Sequence, residues 1–135
     1  MPMSPFAPYH TTLMAIALGG LLLVVQLVIA DLTAIRNKHK AGYPIPADSN
    51  SFLFRAARAH INTNESIAAF AVFGVAGVLL GASPAWLNGL SVLWLASRLA
   101  HMAFYYANRK PMRSLSFAVS LVSLLGMAAT VLMAA

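Results

Sequence analysis

Four long apolar runs, separated by short polar segments, dominate the pattern of the chain. The hydrocarbon core of a bilayer is about 30 Å thick and needs roughly 20 helical residues to be crossed. Backbone groups in hydrocarbon must form their hydrogen bonds within their own segment, so runs of this length are expected to be helices. The pattern therefore predicts four membrane-spanning helices, at about residues 12–35, 52–80, 85–107 and 112–133.

The segments between the runs leave little room for further structure. Only residues 37–51 form a real loop, in which Gly42, Pro44 and Pro46 oppose helix formation. A tight turn near Ser83 makes the second and third helices antiparallel neighbours. We predict an all-α fold, an integral membrane four-helix up-and-down bundle, with residues 1–135 forming a single four-span transmembrane domain.

Composition supports a membrane protein, and the distribution of charge predicts its orientation. The chain is 60% hydrophobic and 9% charged, whereas soluble domains average about 45–50% apolar and about 25% charged residues. Its formal net charge of +6 is concentrated at the first and third connections, while the termini and the second connection have no Lys or Arg. This asymmetry predicts that the first and third connections are cytoplasmic and that both termini lie on the opposite side. It also argues against nucleic acid as a partner.

Polar side chains interrupt the start of the second apolar run. Arg58, Asn62 and Glu65, together with Arg55, fall within an arc of roughly 80° on a helix of about 100° per residue. They rise about 15 Å along the axis from the membrane surface. His60 points roughly the other way. The second helix is therefore predicted to present one polar face near the cytoplasmic surface.

The third and fourth runs add polar groups to the same leaflet. Arg98, His101 and Tyr105 follow i, i+3, i+7 spacing and share one helix face. Arg113 and Ser114 open the fourth helix at the same membrane side. An arginine within a membrane costs at least about 2.5–3.5 kcal/mol on insertion scales. The pattern therefore predicts a function or a specific partner for these groups.

Besides a binding site, two structural interpretations of these charges remain open. Arginines near helix ends commonly extend to the membrane surface, which suffices for Arg55 and Arg109. Glu65 could form an ion pair inside the bundle with Arg58 or with Arg98. Arg58, Arg98 and Arg113 still outnumber the single glutamate, and the surplus positive charge favours an anionic ligand.

Other features have simpler explanations. The spacing of Gly77 and Gly81 is typical of close helix packing, and the serine stripe of the fourth helix is interpreted in the same way (Ser116, Ser120 and Ser123). No metal-ligand set can be assembled, so no metal is expected. The chain has no cysteine, so any thiol chemistry must use a thiol from the substrate.

Three segments resemble one membrane protein family. RAARAHINTNE before an apolar run, then RLAHMAFYY, then RKPMRS are similar to the MAPEG family, the membrane-associated proteins in eicosanoid and glutathione metabolism. The resemblance covers essentially the whole chain and favours a bacterial-type, microsomal glutathione transferase-like member. It implies a homotrimer in the bacterial inner membrane, with glutathione bound between neighbouring subunits on the cytoplasmic side.

The resemblance also implies a role for individual residues. Arg113 matches the arginine that faces the glutathione sulfur and is the expected catalytic residue. Arg98 matches a buried arginine that partners Glu65. Arg36 matches an arginine that reaches across from the adjacent subunit, although Lys38 and Lys40 are alternatives for that role. The full set of expected glutathione-binding residues is Arg36, Arg58, Asn62, Glu65, His101, Tyr105 and Ser114.

The expected activity follows from the chemistry of glutathione. Arginine guanidinium groups suit its carboxylates, and a guanidinium beside its thiol favours the reactive thiolate. The membrane would supply an apolar electrophile for conjugation or a lipid hydroperoxide for reduction. The alternative is a non-catalytic membrane trimer that binds an anionic lipid or a partner protein through the same basic cleft. A transporter is disfavoured because four helices without internal repeats are unlike transporter folds.

Overall fold

The computed structural model describes residues 4–135. A short 3₁₀ helix, Ala7–Tyr9, precedes four long helices, namely α1 (His10–Arg36), α2 (Phe52–Leu79), α3 (Pro84–Tyr106) and α4 (Lys110–Leu132). Each predicted span corresponds to one of these helices, with ends that differ by at most two residues. The predicted all-α fold with four helices is confirmed.

Three of the four helices are long and apolar enough to cross a membrane, namely Ala7–Arg36, Phe52–Leu79 and Lys110–Leu132. These helices fit an integral membrane protein. Helix α3 is not among them, because Asn88, Arg98 and His101 lower its mean hydropathy. Its 23 residues still give a length of about 34 Å, and a fourth span formed by α3 stays a prediction.

Three helices end with the same hydrogen-bonded turn. The second residue after each helix has a left-handed backbone, with φ of 54° at Lys38, 68° at Gly81 and 55° at Asn108. The next amide then donates back to the last turn of the helix, as Ala82 does to the carbonyl of Gly77 at 2.9 Å. Gly81 is therefore an exposed turn residue, and its predicted role in helix packing is wrong.

Small residues bring α1, α2 and α3 close together around one aromatic pair. Trp94 and Phe70 are fully buried and stacked, with 3.8 Å between their ring centroids. A Cβ atom placed on Gly19 of α1 would lie only 3.2 Å from the Trp94 ring. Gly77 is packed in the same way, since its Cβ would lie 2.7 Å from Leu87. The absence of a side chain at these glycines permits the close packing.

The up-and-down order brings all the basic residues to one end of the bundle. We call this the basic end, where α1 and α3 finish at Arg36 and Tyr106 and where α2 and α4 begin at Phe52 and Lys110. All nine Lys and Arg residues lie in its connections or in the adjoining halves of the helices. The opposite end, which we call the neutral end, has none of them.

Candidate functional site

A buried arginine ties three helices together near the middle of the bundle. Arg98 of α3 is fully buried. Its Nη2 donates to Oδ1 of Asn62 on α2, and its Nη1 donates to Oγ of Ser120 on α4 at 3.0 Å. Hydrogen bonds from a charged donor are stronger than neutral ones. The guanidinium therefore fixes the relative positions of α2, α3 and α4 beside the predicted site.

The hydrogen-bond acceptors of Arg98 are Asn62 and Ser120 rather than Glu65, the partner that the resemblance implies. Within residues 4–135 no ion pair joins Arg98 to Glu65, because Glu65 is exposed and Asn62 already accepts from the guanidinium. Asn62 precedes Glu65 by almost one turn and shares its helix face. The carboxylate of Glu65 is consequently available for a group outside this chain.

Three of the predicted residues form a continuous column between α3 and α4. The Arg113 guanidinium carbon lies 4.5 Å from the ring centroid of Tyr105. The Tyr105 ring in turn meets His101 edge to face, with 4.9 Å between centroids. Tyr105 and His101 are buried, whereas Arg113 is only partly buried. This cation–π contact fixes Arg113 in place without neutralising its charge.

The other predicted residues lie at the same end but outside this column. Arg58 is half-buried, while Arg36 is exposed at the end of α1. Ser114 is exposed and its hydroxyl donates to the carbonyl of Lys110 at 3.3 Å. Within one chain, the structure therefore brings the predicted residues together in two contact groups, Asn62 with Arg98 and His101 with Tyr105 and Arg113. No hydrogen bond, ion pair or aromatic contact joins Arg36, Arg58, Glu65 or Ser114 to either group among residues 4–135.

Two further polar residues of this region, Ser120 and Gln26, are buried but are not among the predicted site residues. Ser120 was assigned to packing but accepts from Arg98 and donates to the carbonyl of Phe117 at 2.8 Å. Its position seven residues after Arg113, on the same helix face, was the available signal. Gln26 is fully buried in α1, and the apolar run around it contains no spacing pattern that predicts a polar role.

A separate recess opens at the basic end on the other side of α2. It has a volume of about 550 Å³ and lies between α1, the first connection and α2. Its lining combines Asp31, His39, Tyr43 and His60 with apolar side chains. The predicted opposite orientation of His60 and Asn62 on α2 agrees with this separation. The recess therefore belongs to a different face from the column at Arg113.

The basic end has a surplus of positive charge and, in the described residues, no ion pair. Across residues 4–135 no carboxylate lies within ion-pairing distance of a Lys, Arg or His side chain. The same part of the chain contains no group of three His, Cys, Asp or Glu residues that could hold a metal ion. Guanidinium groups that lack a carboxylate can form charge-assisted hydrogen bonds to an anionic ligand.

The comparison with protein families points to one relationship. The family model described as the MAPEG family matches residues 11–133, which is nearly the whole chain and includes all of the polar residues discussed above. No curated protein matches the chain significantly.

Proposed function

The chain belongs to the MAPEG family, and from this premise we propose that it is a glutathione-dependent membrane enzyme. The family includes glutathione transferases and peroxidases. In our proposal the protein binds glutathione at the basic end and ionises its thiol. The thiolate then attacks an apolar electrophile or reduces a lipid hydroperoxide dissolved in the surrounding membrane.

The position of Arg113 is the observation on which the proposal depends. Its guanidinium is held over the Tyr105 ring at 4.5 Å, and no carboxylate pairs with it among residues 4–135. A free thiol with a pKa of about 8.5 is only about 3% ionised at pH 7. If Arg113 lowers the thiol pKa to about 6.5, roughly three-quarters becomes thiolate. The thiol proton is released to water, and the guanidinium stabilises the remaining negative charge.

The remaining residues bind the rest of the tripeptide in this proposal. Arg58 takes a carboxylate of glutathione, because a guanidinium can donate two parallel hydrogen bonds to it. Glu65 is exposed and takes the ammonium group. Asn62, His101 and Ser114 contribute hydrogen bonds beside them. Arg98 acts indirectly, because it holds Asn62 in position from inside the bundle.

A second copy of the chain completes the site in the proposed homotrimer. Arg36 is exposed and lies outside the column formed by His101, Tyr105 and Arg113. It is therefore proposed to reach the glutathione of a neighbouring subunit, as the resemblance implies. The basic end faces the cytoplasm in this proposal, since positive residues concentrate on that side of membrane proteins.

Replacement of Arg113 tests the proposed catalytic role. Arg113→Ala is expected to abolish glutathione-dependent turnover, measured with a panel of electrophiles and hydroperoxides, while the oligomer remains intact. Arg109→Ala is the matched control, because Arg109 is exposed at the start of the same helix and should leave turnover unchanged. Equal turnover in the wild type and in Arg113→Ala would refute the role of Arg113.

The same purified protein distinguishes the alternative function. An enzyme of the proposed kind develops thiolate absorbance when glutathione is added. A non-catalytic protein that binds lipid would instead retain an anionic phospholipid and show no thiolate absorbance. That second result would replace the proposed enzymatic function with the binding function.

A further inference from the structure

Gln26 is a buried polar residue that the proposed function does not use. Its side chain is fully buried within α1, and neither its Nε2 nor its Oε1 has a hydrogen-bond partner among residues 4–135. Buried amides are almost always hydrogen-bonded, because leaving them without a partner costs free energy. A fully buried amide in a membrane span therefore requires an explanation.

The helix register places Gln26 within one helical turn of the level of His101. Helices α1 and α3 run parallel, and their contacts pair Thr12 with Ser91 and Gly19 with Trp94. Counted from Gly19 and Trp94, Gln26 lies level with His101, and counted from Thr12 and Ser91 it lies level with Tyr105, one turn further along α3. Gln26 and His101 both belong to the buried stripes of their helices.

Helix α2 supplies the third side of the same layer. Gly19 also packs against Phe70 of α2, and α2 runs antiparallel to α1. Two turns further along α1 therefore correspond to two turns back along α2, at Thr63. Thr63 is fully buried, and its hydroxyl donates to its own helix at Ala59. Gln26 and His101 are then the groups of this layer that need partners.

The unpartnered atoms in this layer are complementary. His101 is 2% exposed, and its buried Nδ1 has no partner in the described part of the chain. A neutral imidazole nitrogen either donates or accepts, and an amide does both. Ordered water commonly bridges such buried groups and makes about three hydrogen bonds there. Polar residues inside membrane spans also commonly face hydrated interior sites.

We propose that Gln26 is a positioning residue that binds Nδ1 of His101 through a buried water molecule. The link fixes which ring nitrogen of His101 carries the proton. It thereby determines whether the other ring nitrogen, at the base of the column formed with Tyr105 and Arg113, is a hydrogen-bond donor or an acceptor. The link does not involve glutathione, so it is tested without ligand and independently of the proposed enzymatic function.

Whether Gln26→Met raises or lowers the stability of the protein tests the proposed link. Gln26→Met preserves the approximate shape and removes the amide. If Gln26 had no partner, the substitution would stabilise the protein by removing a buried unsatisfied group. With the proposed link it leaves His101 unsatisfied, and the apparent unfolding temperature in detergent is expected to fall by about 4 °C or more. An unchanged or raised unfolding temperature would overturn the proposal.

The same substitution in a variant that lacks His101 distinguishes the proposed link from a general effect on packing. In a His101→Phe background, Gln26→Met is expected to be neutral or stabilising, because the partner of the amide has been removed. The matched control is Leu22→Met, at another buried position of α1, which should have the same effect in both backgrounds. An equal loss from Gln26→Met in both backgrounds would contradict the link.

A measurement on the wild-type protein covers the case in which the variants do not fold. With ¹⁵N-labelled histidine, NMR should show a single neutral tautomer for His101, identified by its absence from a spectrum of His101→Phe or by sequential assignment. A mixture of both tautomers would show that nothing holds Nδ1 and would refute the proposal.

Discussion

The two ends of the bundle differ in how far their polar groups are paired with one another within the chain. At the neutral end, the Asn88 amide donates to the carbonyl of Pro8 at 2.8 Å and accepts from the backbone and hydroxyl of Thr12 at 3.1 and 2.7 Å. The Tyr9 hydroxyl donates to the carbonyl of Ala82 at 2.7 Å. These neutral groups satisfy one another within the chain. At the basic end, no guanidinium of residues 4–135 pairs with a carboxylate, and buried polar atoms such as Nδ1 of His101 have no partner within the described residues.

This difference distinguishes a structural network at the neutral end from the proposed binding site at the basic end. The network of Asn88 attaches the start of α1 to α3, and the polar groups of the network form hydrogen bonds with one another. At the basic end, Arg113 contacts an aromatic ring rather than a carboxylate, and Glu65 is exposed. Keeping charged groups unneutralised near a membrane is costly. Their retention is best explained by a ligand of mixed charge such as glutathione.

The largest expected effect comes from removing the neutral partner of Arg98. Asn62→Leu leaves the buried guanidinium without one of its acceptors, and the free energy of unfolding should fall by about 2–3 kcal/mol. Glutathione binding should be lost as well. Asn64→Leu, at an exposed position of the same helix, is the control and should change neither quantity. Thermal unfolding in detergent that is identical for both variants would contradict the structural role of Asn62.

A smaller effect is expected when Arg113 loses its charge but keeps a polar side chain. Arg113→Gln should reduce the thiolate of bound glutathione about 25-fold at pH 7, if the thiol pKa returns from about 6.5 to about 8.5. Because the wild type lowers the thiol pKa, the ratio of thiolate in the wild type to thiolate in the variant should approach about 100-fold well below pH 6.5 and fall toward one above the free thiol pKa of about 8.5. Thiolate absorbance measured across pH checks this. Parallel pH profiles with the same midpoint would contradict it.

A substitution at the neutral end should have a smaller effect, and the effect should be limited to the stability of the fold. Asn88→Ala removes three hydrogen bonds and leaves Thr12 and Pro8 with unmet groups, which should cost about 1–2 kcal/mol of unfolding free energy. Thiolate formation should be unchanged, because the substitution lies at the opposite end from Arg113. If Asn88→Ala impaired thiolate formation as strongly as Arg113→Gln, the two ends would not be functionally separate.

The helices could be predicted closely because a membrane imposes a strong constraint on sequence. Long apolar runs have to be helices, and their ends are marked by Gly, Pro and polar clusters. The shared face of Arg98, His101 and Tyr105 follows from helix geometry alone, and all three are buried as a stripe. The polar side chains of α3 also explain why it is not among the helices that are apolar enough to cross a membrane.

The partners within the site could not be predicted from spacing. Glu65 was the natural counter-ion for Arg98, yet Asn62 and Ser120 accept its hydrogen bonds. Helix periodicity specifies a direction for each side chain but not the axial register between helices, and that register decides which acceptor is within reach. The proposed link between Gln26 and His101 could not be predicted for the same reason, since it depends on how α1 packs against α3.

Proton release on glutathione binding tests most directly whether the basic end ionises the thiol. Calorimetric titrations at pH 7, in buffers of different ionisation enthalpy, count the protons released. Because the thiolate fraction should rise from about 3% to about three-quarters, glutathione should release about 0.7 proton per molecule bound, whereas S-methylglutathione should release none. Binding of both ligands without any difference in proton release would contradict the account.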